Sequence, residues 1–295
     1  MYRFDEFNDA APGAPRSLAV GMSGYLKKLA CRFREECGEL LPRVTSPFIS
    51  DTEWVDSSEG RGRFQANCAS YVAAILFSAR VCRSDCTTAV QKLCTQISCW
   101  SVAADLALVR LMAYMECEPD LELVGTLAPE DATDLEINVW HDAEWNRDAS
   151  TTKRPSGLFV ELHSPTSGRT FPLVWKTSLQ TATASSSAES ETVSLSAGLR
   201  QEALSVQKLF EVLLGRRLLL RCQVDNTQAV AAAKKGYSKR LRHLSRTHRC
   251  SLGVLCELIE DKDACEQRGD LFTKALLSAA FVRALELVGM RRPAL

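Results

Sequence analysis

The sequence predicts a mixed α/β domain in the C-terminal part of the chain, preceded by a mostly helical domain. In the C-terminal part, three short segments of alternating polarity precede a long helical pattern, a further strand and two more helical patterns. In the N-terminal part, apolar residues recur at helical spacing. A mixed sheet flanked by helices, made of an antiparallel meander and one parallel strand, accounts for the C-terminal order.

The N-terminal part contains three predicted helices, Tyr71–Arg80, Cys86–Cys99 and Val102–Met115. Before them, Thr45 to Gly62 is rich in serines and acids and contains a proline, which is typical of a loop. A break at Gly125–Thr133 is the best domain boundary. The predicted division is therefore a poorly assigned segment 1–63, a helical domain 64–128 and an α/β domain 129–295.

The α/β domain begins with three predicted strands, Leu135–Trp140, Gly157–His163 and Thr170–Lys176, and a turn at Ser164–Gly168 joins the last two. A fourth strand, Leu218–Val224, follows a long helix. We expect this strand to pair parallel to the first through a crossover connection.

Four carboxylates lie at or beside the ends of these elements. Asp142 follows the first strand, Asp225 ends the fourth, and Glu191 is expected in the first turn of the long helix. Asp270 precedes apolar residues that can start another helix. Clustered acids of this kind can hold two divalent cations against a phosphate. Taken singly, Asp225 has a simpler interpretation as a helix cap, and Glu191 as an acid that complements a helix dipole.

Six landmarks in order over Ile137 to Leu276 resemble the ribonuclease H domain at the C-terminus of a copia-type retrotransposon polyprotein. They are Asp142-Ala143-Glu144-Trp145, Lys153-Arg154-Pro155-Ser156-Gly157, Trp175-Lys176 with Gln180, Ser186-Ser187-Ala188-Glu189-Ser190-Glu191, Val224-Asp225-Asn226-Thr227-Gln228-Ala229 and Gly269-Asp270-Leu271-Phe272-Thr273-Lys274-Ala275-Leu276. Such an ordered set is far more specific than any one motif.

The resemblance continues upstream into the reverse transcriptase thumb and connection of the same polyprotein. The residues that carry it are Ala79-Arg80, Arg83-Ser84-Asp85, Trp100, Asp105, Leu108, Arg110-Leu111-Met112 and Tyr114. The family's Arg-Pro-Asp has serine in place of proline here. The Tyr-x-Asp-Asp motif of the polymerase does not occur in the sequence, so we do not expect DNA synthesis by this chain alone.

The resemblance implies a ribonuclease H-like fold and hydrolysis of the RNA strand of an RNA–DNA hybrid. It implies two Mg2+ ions, with Mn2+ as an alternative. Asp142 would contact both ions, Glu191 and Asp225 one of them, and Asp270 the other. The rest of a Pol polyprotein is an implied partner.

One departure from the family pattern modifies this expectation. The stretch between Glu260 and Asp270 is too short and polar for the strand that the family has there, so Asp270 is expected to be misplaced. Glu144 and Glu189 are expected to be solvated neighbours rather than ligands. A catalytically decayed fragment and a non-enzymatic nucleic-acid-binding module are therefore alternatives to a working nuclease.

The segment from Lys234 to Arg249 is strongly basic. Its candidate nucleic-acid contacts are Lys234, Lys235, Lys239, Arg240, Arg242, His243, Arg246 and Arg249, with His248 among them. Phosphate contact and a merely solvated loop are both open interpretations. His243 resembles the histidine of the family's Lys-His-Ile motif, which implies a part in proton transfer or product release; a structural or phosphate contact is the alternative.

Composition limits the remaining function classes. The 36 basic and 36 acidic residues cancel, so nucleic-acid affinity must come from local patches. An apolar run of about 20 residues is absent, and acids near Met1 do not fit a signal peptide. The spacing of Cys82, Cys86, Cys94 and Cys99 misses that of a zinc site, so the 12 cysteines are expected to be buried thiols. We expect an intracellular protein, cytoplasmic or nuclear, without a membrane partner.

Overall fold

The computed structural model describes residues 2–4, 13–49, 53–54, 60–143, 154–180, 183–259, 268–276 and 278–293. The chain divides into two compact units. Unit 1 comprises residues 1–5, 18–124 and 274–295, and unit 2 comprises residues 6–17 and 125–273.

Eight strands and ten helices are formed by the described residues. The strands are β1 Tyr2–Phe4, β2 Arg16–Val20, β3 Glu122–Leu127, β4 Glu136–Ala143, β5 Pro155–His163, β6 Thr170–Leu179, β7 Leu220–Gln223 and β8 Met290–Arg291. The helices are α1 Ser23–Cys37, α2 Cys68–Val81, α3 Thr87–Gln96, α4 Val102–Cys117, α5 Ser187–Gly198, α6 Leu204–Leu214, α7 Thr227–Lys235, α8 Leu244–Thr247, α9 Leu252–Leu258 and α10 Ser278–Leu287. The described residues also form four short 3-10 helices, Ser84–Cys86, Ile97–Cys99, Pro129–Thr133 and Arg268–Phe272. A π-helical turn, Leu199–Ala203, lies between α5 and α6.

Unit 1 is mostly helical, and the three predicted N-terminal helices are confirmed as α2, α3 and α4. Its core contains an aromatic cluster in which the Phe33 ring lies 5.0 Å from Tyr71 and 5.1 Å from Phe64. A sheet with the strand order β1-β2-β3-β8 was not predicted. Its outer strands are only 3 and 2 residues long, too short for an alternating pattern to stand out. The predicted loop Thr45–Gly62 lies partly outside the described residues.

The Arg83-Ser84-Asp85 turn is buried in unit 1. The side chains of Arg83 and Asp85 are both fully buried and form an ion pair at 2.8 Å. Tyr114 donates to Asp85 Oδ2 at 2.7 Å, and Arg83 donates to the Glu118 carbonyl at 2.9 Å. Each buried charge is therefore compensated by close partners, as burial requires.

Unit 2 contains a four-stranded mixed sheet with the order β6-β5-β4-β7. β4, β5 and β6 form an antiparallel meander, and β7 pairs parallel to β4. The predicted meander and crossover are confirmed. The crossover runs through α5 and α6, because a parallel pair cannot be joined by a tight turn.

One face of this sheet carries the apolar core of unit 2. Alternate residues of the central strands, such as Ile137 and Val139 of β4, pack against Leu195 and Leu199 of the crossover. Gly198 permits this close packing, since a Cβ atom there would lie 2.7 Å from a methyl carbon of Leu158. The helix that carries Glu191 is thus held tightly against the sheet.

Three details differ from the sequence analysis. β4 continues to Ala143, so Asp142 lies inside the strand rather than beyond it. Glu191 is the fifth residue of α5, and the first-turn acid is Glu189. Residues 274–293 pack within unit 1, so the two units cut the chain differently from the predicted domains.

No helix of the described residues is long and apolar enough to cross a membrane. No disulfide joins the cysteines in the described ranges, and Cys265 lies outside them. The prediction that the cysteines are buried is wrong for Cys31, Cys99 and Cys117, which are exposed. Burial raises the pKa of the Cys82 thiol to about 11, which keeps it protonated and unreactive.

Candidate metal centre

Three of the four predicted acids converge. Asp142, Glu191 and Asp225 each present a carboxylate oxygen, and these oxygens lie within 4.8 Å of one another. The parallel pairing of β4 with β7 explains part of this arrangement: Trp140 pairs with Gln223, so Asp142 and Asp225 each follow a paired residue by two positions. Glu191 reaches the same point from α5.

The Glu191 carboxylate is buried and only partly satisfied. Its Oε1 accepts a hydrogen bond from the Ala143 backbone N–H at 3.1 Å. Its Oε2 has no hydrogen-bond partner among the described residues and lies 3.5 Å from His141 Nδ1. Burial, reinforced by the charges of Asp142 and Asp225, raises the pKa of Glu191 to about 9.

His141 is fully buried beside the acids. Burial lowers the pKa of its imidazole to about 4, although the neighbouring Asp142 and Asp225 charges act in the opposite direction. The imidazole therefore supplies little positive charge at neutral pH. With its pKa near 9, Glu191 is protonated at neutral pH when no cation is bound, so the trio then carries two negative charges. A hard divalent cation suits this arrangement, because it relieves the repulsion that opposes ionisation of Glu191.

The cap of α7 is Asn226 and not Asp225. Asn226 Oδ1 accepts from the backbone N–H groups of Gln228 and Ala229, both at 3.0 Å. Its amide also donates to Ser187 Oγ at 3.1 Å, which ties the starts of α5 and α7 together. The interpretation of Asp225 as a helix cap is therefore wrong.

A cleft of about 370 Å³ opens beside this cluster. The first residues of α5 and α7 line it together with Asp225. The exposed member of the carboxylate trio thus lines an open cleft.

Asp270 does not join the trio. It is half-buried in the 3-10 helix Arg268–Phe272, outside the group of described acids that share metal-ligand distances. Thr273, immediately after this helix, donates to Asp142 Oδ2. Gly157, the β5 partner of Asp142, allows that approach, because a Cβ atom there would lie 2.8 Å from the Thr273 methyl carbon.

The 3-10 helix is nevertheless firmly docked on the second face of the sheet. Arg268 Nη1 lies 2.8 and 2.6 Å from the two carboxylate oxygens of buried Glu161, and its guanidinium lies 5.0 Å from the centre of the Trp140 ring. Phe272 stacks on Phe159 with the ring centres 5.7 Å apart. Residues 260–267, which the sequence predicts to be too short and polar for a strand, lie outside the described residues.

Glu189 is buried, with 2% of its surface exposed, so the prediction that it is solvated is wrong. Its Oε2 accepts from the Ser185 backbone N–H at 2.8 Å and from the Ser185 hydroxyl. Burial raises the pKa of this carboxyl, but the hydrogen bonds from Ser185 and His243 outweigh it and hold the pKa below its ordinary value. Glu144 lies outside the described residues.

All seven lysines and arginines of the basic segment 234–249 are exposed: Lys234, Lys235, Lys239, Arg240, Arg242, Arg246 and Arg249. None forms an ion pair within the described part of the chain. Tyr237, 52% exposed, lies among them. Leu241 and Leu244 are buried and anchor the segment to unit 2.

Comparisons with known proteins add little to this geometry. No family model matches the chain. Among solved structures, the chain is similar to the N-terminal RNase H domain of a Mycobacterium tuberculosis protein, solved as a fusion with maltose-binding protein. The match has 13% sequence identity, a TM-score of 0.31, and covers 52% of this chain and 98% of that one. A similarity at this level supports no conclusion about the site.

Local sequence patterns do not identify the residues that contact the trio. Thr273 lies within the last of the six landmarks and His141 directly precedes the first, but their contacts with Asp142 and Glu191 depend on pairing between distant segments. Arg268 and Glu161 are 107 positions apart in the chain, and no sequence signal connects them.

Proposed function

We propose that the chain is a metal-dependent nuclease of the ribonuclease H type, which hydrolyses the RNA strand of RNA–DNA hybrids. The observation that carries this proposal is the convergence of Asp142, Glu191 and Asp225 from two strand ends and one helix. The ordered motifs supply the substrate class. The 2'-hydroxyl group distinguishes that RNA strand from DNA.

In this proposal the trio would hold Mg2+ or Mn2+. When bound, the cation supplies Lewis-acid activation of water and stabilises charge on the phosphate. The residues of the chain orient the ligands: Ala143 N–H fixes one oxygen of Glu191, and the Thr273 hydroxyl fixes one oxygen of Asp142. Asp270 is our candidate ligand for a second ion, because its 3-10 helix packs on the same strands.

The six ordered motifs also support descent from a copia-type retrotransposon Pol polyprotein, with unit 1 contributing thumb and connection residues. The rest of such a polyprotein is the corresponding partner. A chain of this origin that folds without cutting is the decayed alternative.

A non-enzymatic nucleic-acid-binding module is a second candidate function. The seven exposed cations and Tyr237 favour it, since lysine and arginine replace condensed counterions along a phosphate backbone and aromatic rings stack on bases.

The test is cleavage of a labelled RNA–DNA hybrid with Mg2+ or Mn2+, with wild type and Asp142→Asn compared. We expect cleavage only with metal, and a loss of at least ~100-fold in Asp142→Asn, because even a misplacement of about 1 Å costs that much in rate. Asp120→Asn, an exposed acid of unit 1, is the matched control and should cleave like wild type.

Each alternative has its own outcome in this assay. A decayed fragment gives no cleavage with either metal and no metal-dependent stabilisation. A binding module gives hybrid binding that is equal in wild type and Asp142→Asn, falls with salt, and is lost when Arg240 and Arg242 are neutralised. Cleavage that is equal in wild type and Asp142→Asn would contradict the proposed site.

A further inference from the structure

A single buried carboxylate joins the basic segment to the helix of the metal centre. Glu189 lies on α5, two residues before Glu191. Its Oε1 lies 3.0 Å from His243 Nε2 and 3.2 Å from His248 Nε2. The first contact is a hydrogen bond, whereas the second is an electrostatic contact without hydrogen-bond alignment. Both histidines belong to the basic segment.

Lys234 and Lys235 are the last residues of α7, but the rest of the basic segment has little structure of its own to fix its position. Its helix α8 has only four residues, and an isolated helix of that length is unstable in water. Its seven cations point outward and hold nothing to unit 2. Leu241 and Leu244 anchor it by non-directional burial, and Cys256 Sγ donates to the carbonyl of Lys234 at its start. Further along the segment, the hydrogen bond between Glu189 and His243 is a directed contact that fixes its orientation.

The other contacts of Glu189 make it a rigid anchor. Its second oxygen is held by the Ser185 N–H and hydroxyl, and its own N–H donates to the Ser186 hydroxyl that caps α5. The carboxylate therefore has one orientation, fixed by the start of the helix that carries Glu191.

We propose that Glu189 is a positioning residue that holds the basic segment 234–249 against α5, so that its cations grip the phosphate backbone of a nucleic acid lying at the carboxylate trio. The proposal deepens the proposed function and rests on it for the reaction, but the predicted effect is on binding. The ligand is a polyanionic backbone, which the segment grips without reading sequence.

The sign of the effect separates this role from simple electrostatics. Glu189 is an acid, so its removal would by charge alone strengthen the binding of a polyanion. If Glu189 positions the segment, its removal weakens binding instead. Removal of Glu189 should also flatten the slope of log Kd against log salt by more than roughly one unit. One unit is the change expected when a single cation is neutralised.

The experiment measures binding of a labelled RNA–DNA hybrid between about 50 and 200 mM salt. All proteins carry Asp142→Asn, so that the hybrid is not cut. We expect Glu189→Ala to weaken binding by about tenfold and to flatten the slope of log Kd against log salt by more than ~1. Glu189→Gln, which can still accept from His243, should recover part of the loss.

Glu202→Ala is the matched control. Glu202 lies in the turn after α5 and pairs with Lys176 at 3.2 Å, away from the basic segment. Its removal should leave binding unchanged or slightly tighter. Circular dichroism and thermal midpoints identify any variant that fails to fold.

His243→Ala provides a second route, because 40% of the His243 side chain is exposed and its loss should be tolerated. It should reproduce the Glu189→Ala effect, and the double variant should be no worse than the stronger single variant. The proposal is overturned if a folded Glu189→Ala or His243→Ala protein shows unchanged affinity and an unchanged salt slope. It is also overturned if the protein that carries Asp142→Asn alone does not bind the hybrid.

The two proposals fail separately. Binding that depends on Glu189, in a chain whose wild type does not cleave, leaves this inference standing and contradicts the proposed function. Wild-type cleavage together with binding that is independent of Glu189 supports the proposed function and contradicts this inference.

Discussion

At the scale of single residues, burial decides what a charged side chain does in this protein. Arg83 and Asp85 are fully buried and paired, whereas Lys27 and Asp120 form a pair at 2.9 Å with about half of each side chain exposed. An exposed pair contributes little because water screens it. A buried pair is different, because loss of one partner leaves a charge without compensation.

We expect Asp85→Asn to lower the free energy of unfolding of unit 1 by about 3–5 kcal/mol, since it leaves the Arg83 guanidinium buried without a counter-charge. Urea denaturation followed by circular dichroism measures the change. Asp120→Asn makes the same chemical substitution at the exposed pair and should cost at most ~1 kcal/mol. Equal effects of the two substitutions would contradict the burial argument.

The carboxylate trio allows a metal test that does not depend on catalysis. We expect Mn2+ to raise the thermal midpoint of wild type, because a ligand that binds the folded state stabilises it. Asp142→Asn should lose this shift, and its metal-free midpoint should rise because carboxylate repulsion is relieved. Asp270→Asn should retain the shift, because Asp270 lies outside the trio. A shift lost equally in both variants would place Asp270 in the first metal site.

At the scale of elements, the 3-10 helix Arg268–Phe272 shows how a short segment is held on one face of a sheet by side-chain contacts. It docks through one ion pair, one aromatic stack and the close approach at Gly157. The ion pair matters most, because Glu161 is completely buried. Burial raises the pKa of Glu161 above its ordinary value of 4.5, although the Arg268 charge lowers it.

We expect Arg268→Met to destabilise unit 2 by about 3 kcal/mol at neutral pH. This value is at the lower end of the usual cost of breaking a buried ion pair, because the Arg268 side chain is partly exposed. The pKa of Glu161 in the folded state should then rise further. Because the folded state binds that proton more tightly than the unfolded state, the deficit should shrink as pH falls from 7 towards about 4.5.

Urea midpoints at several pH values measure the Arg268→Met effect. Arg268→Met combined with Glu161→Gln is the control, because it removes the titrating group and should abolish the pH dependence of the deficit. A deficit that grows as the solution becomes acidic would contradict this account.

At the scale of the whole molecule, each compact unit is made of separate stretches of the chain. The C-terminal residues 274–293 return to unit 1, where Phe281 is fully buried and its ring lies 5.6 Å from Tyr114 and 5.9 Å from Phe48. A fragment that starts at residue 129 would therefore carry α10 without the partners of Phe281.

We expect Phe281→Ala to lower the stability of unit 1 by about 3–5 kcal/mol, because it removes a buried ring and leaves a cavity. The transition of unit 2, identified by its response to Mn2+, should not move. Scanning calorimetry with and without Mn2+ distinguishes the unfolding transitions of the two units. Val282→Ala is the control, since the neighbouring side chain is 50% exposed and should matter little. An equal shift of both transitions would contradict the division into units.

The sequence by itself determined the meander, the parallel strand, the three N-terminal helices and the identity of the converging acids. These features depend on local periodicity and on short motifs, which neighbouring residues encode. Tertiary structure alone decided that Asp270 stands outside the trio, that Glu189 is a buried anchor, and that residues 274–293 join unit 1. Each of these depends on contacts between segments far apart in the chain, and such contacts leave no local pattern from which they could be read.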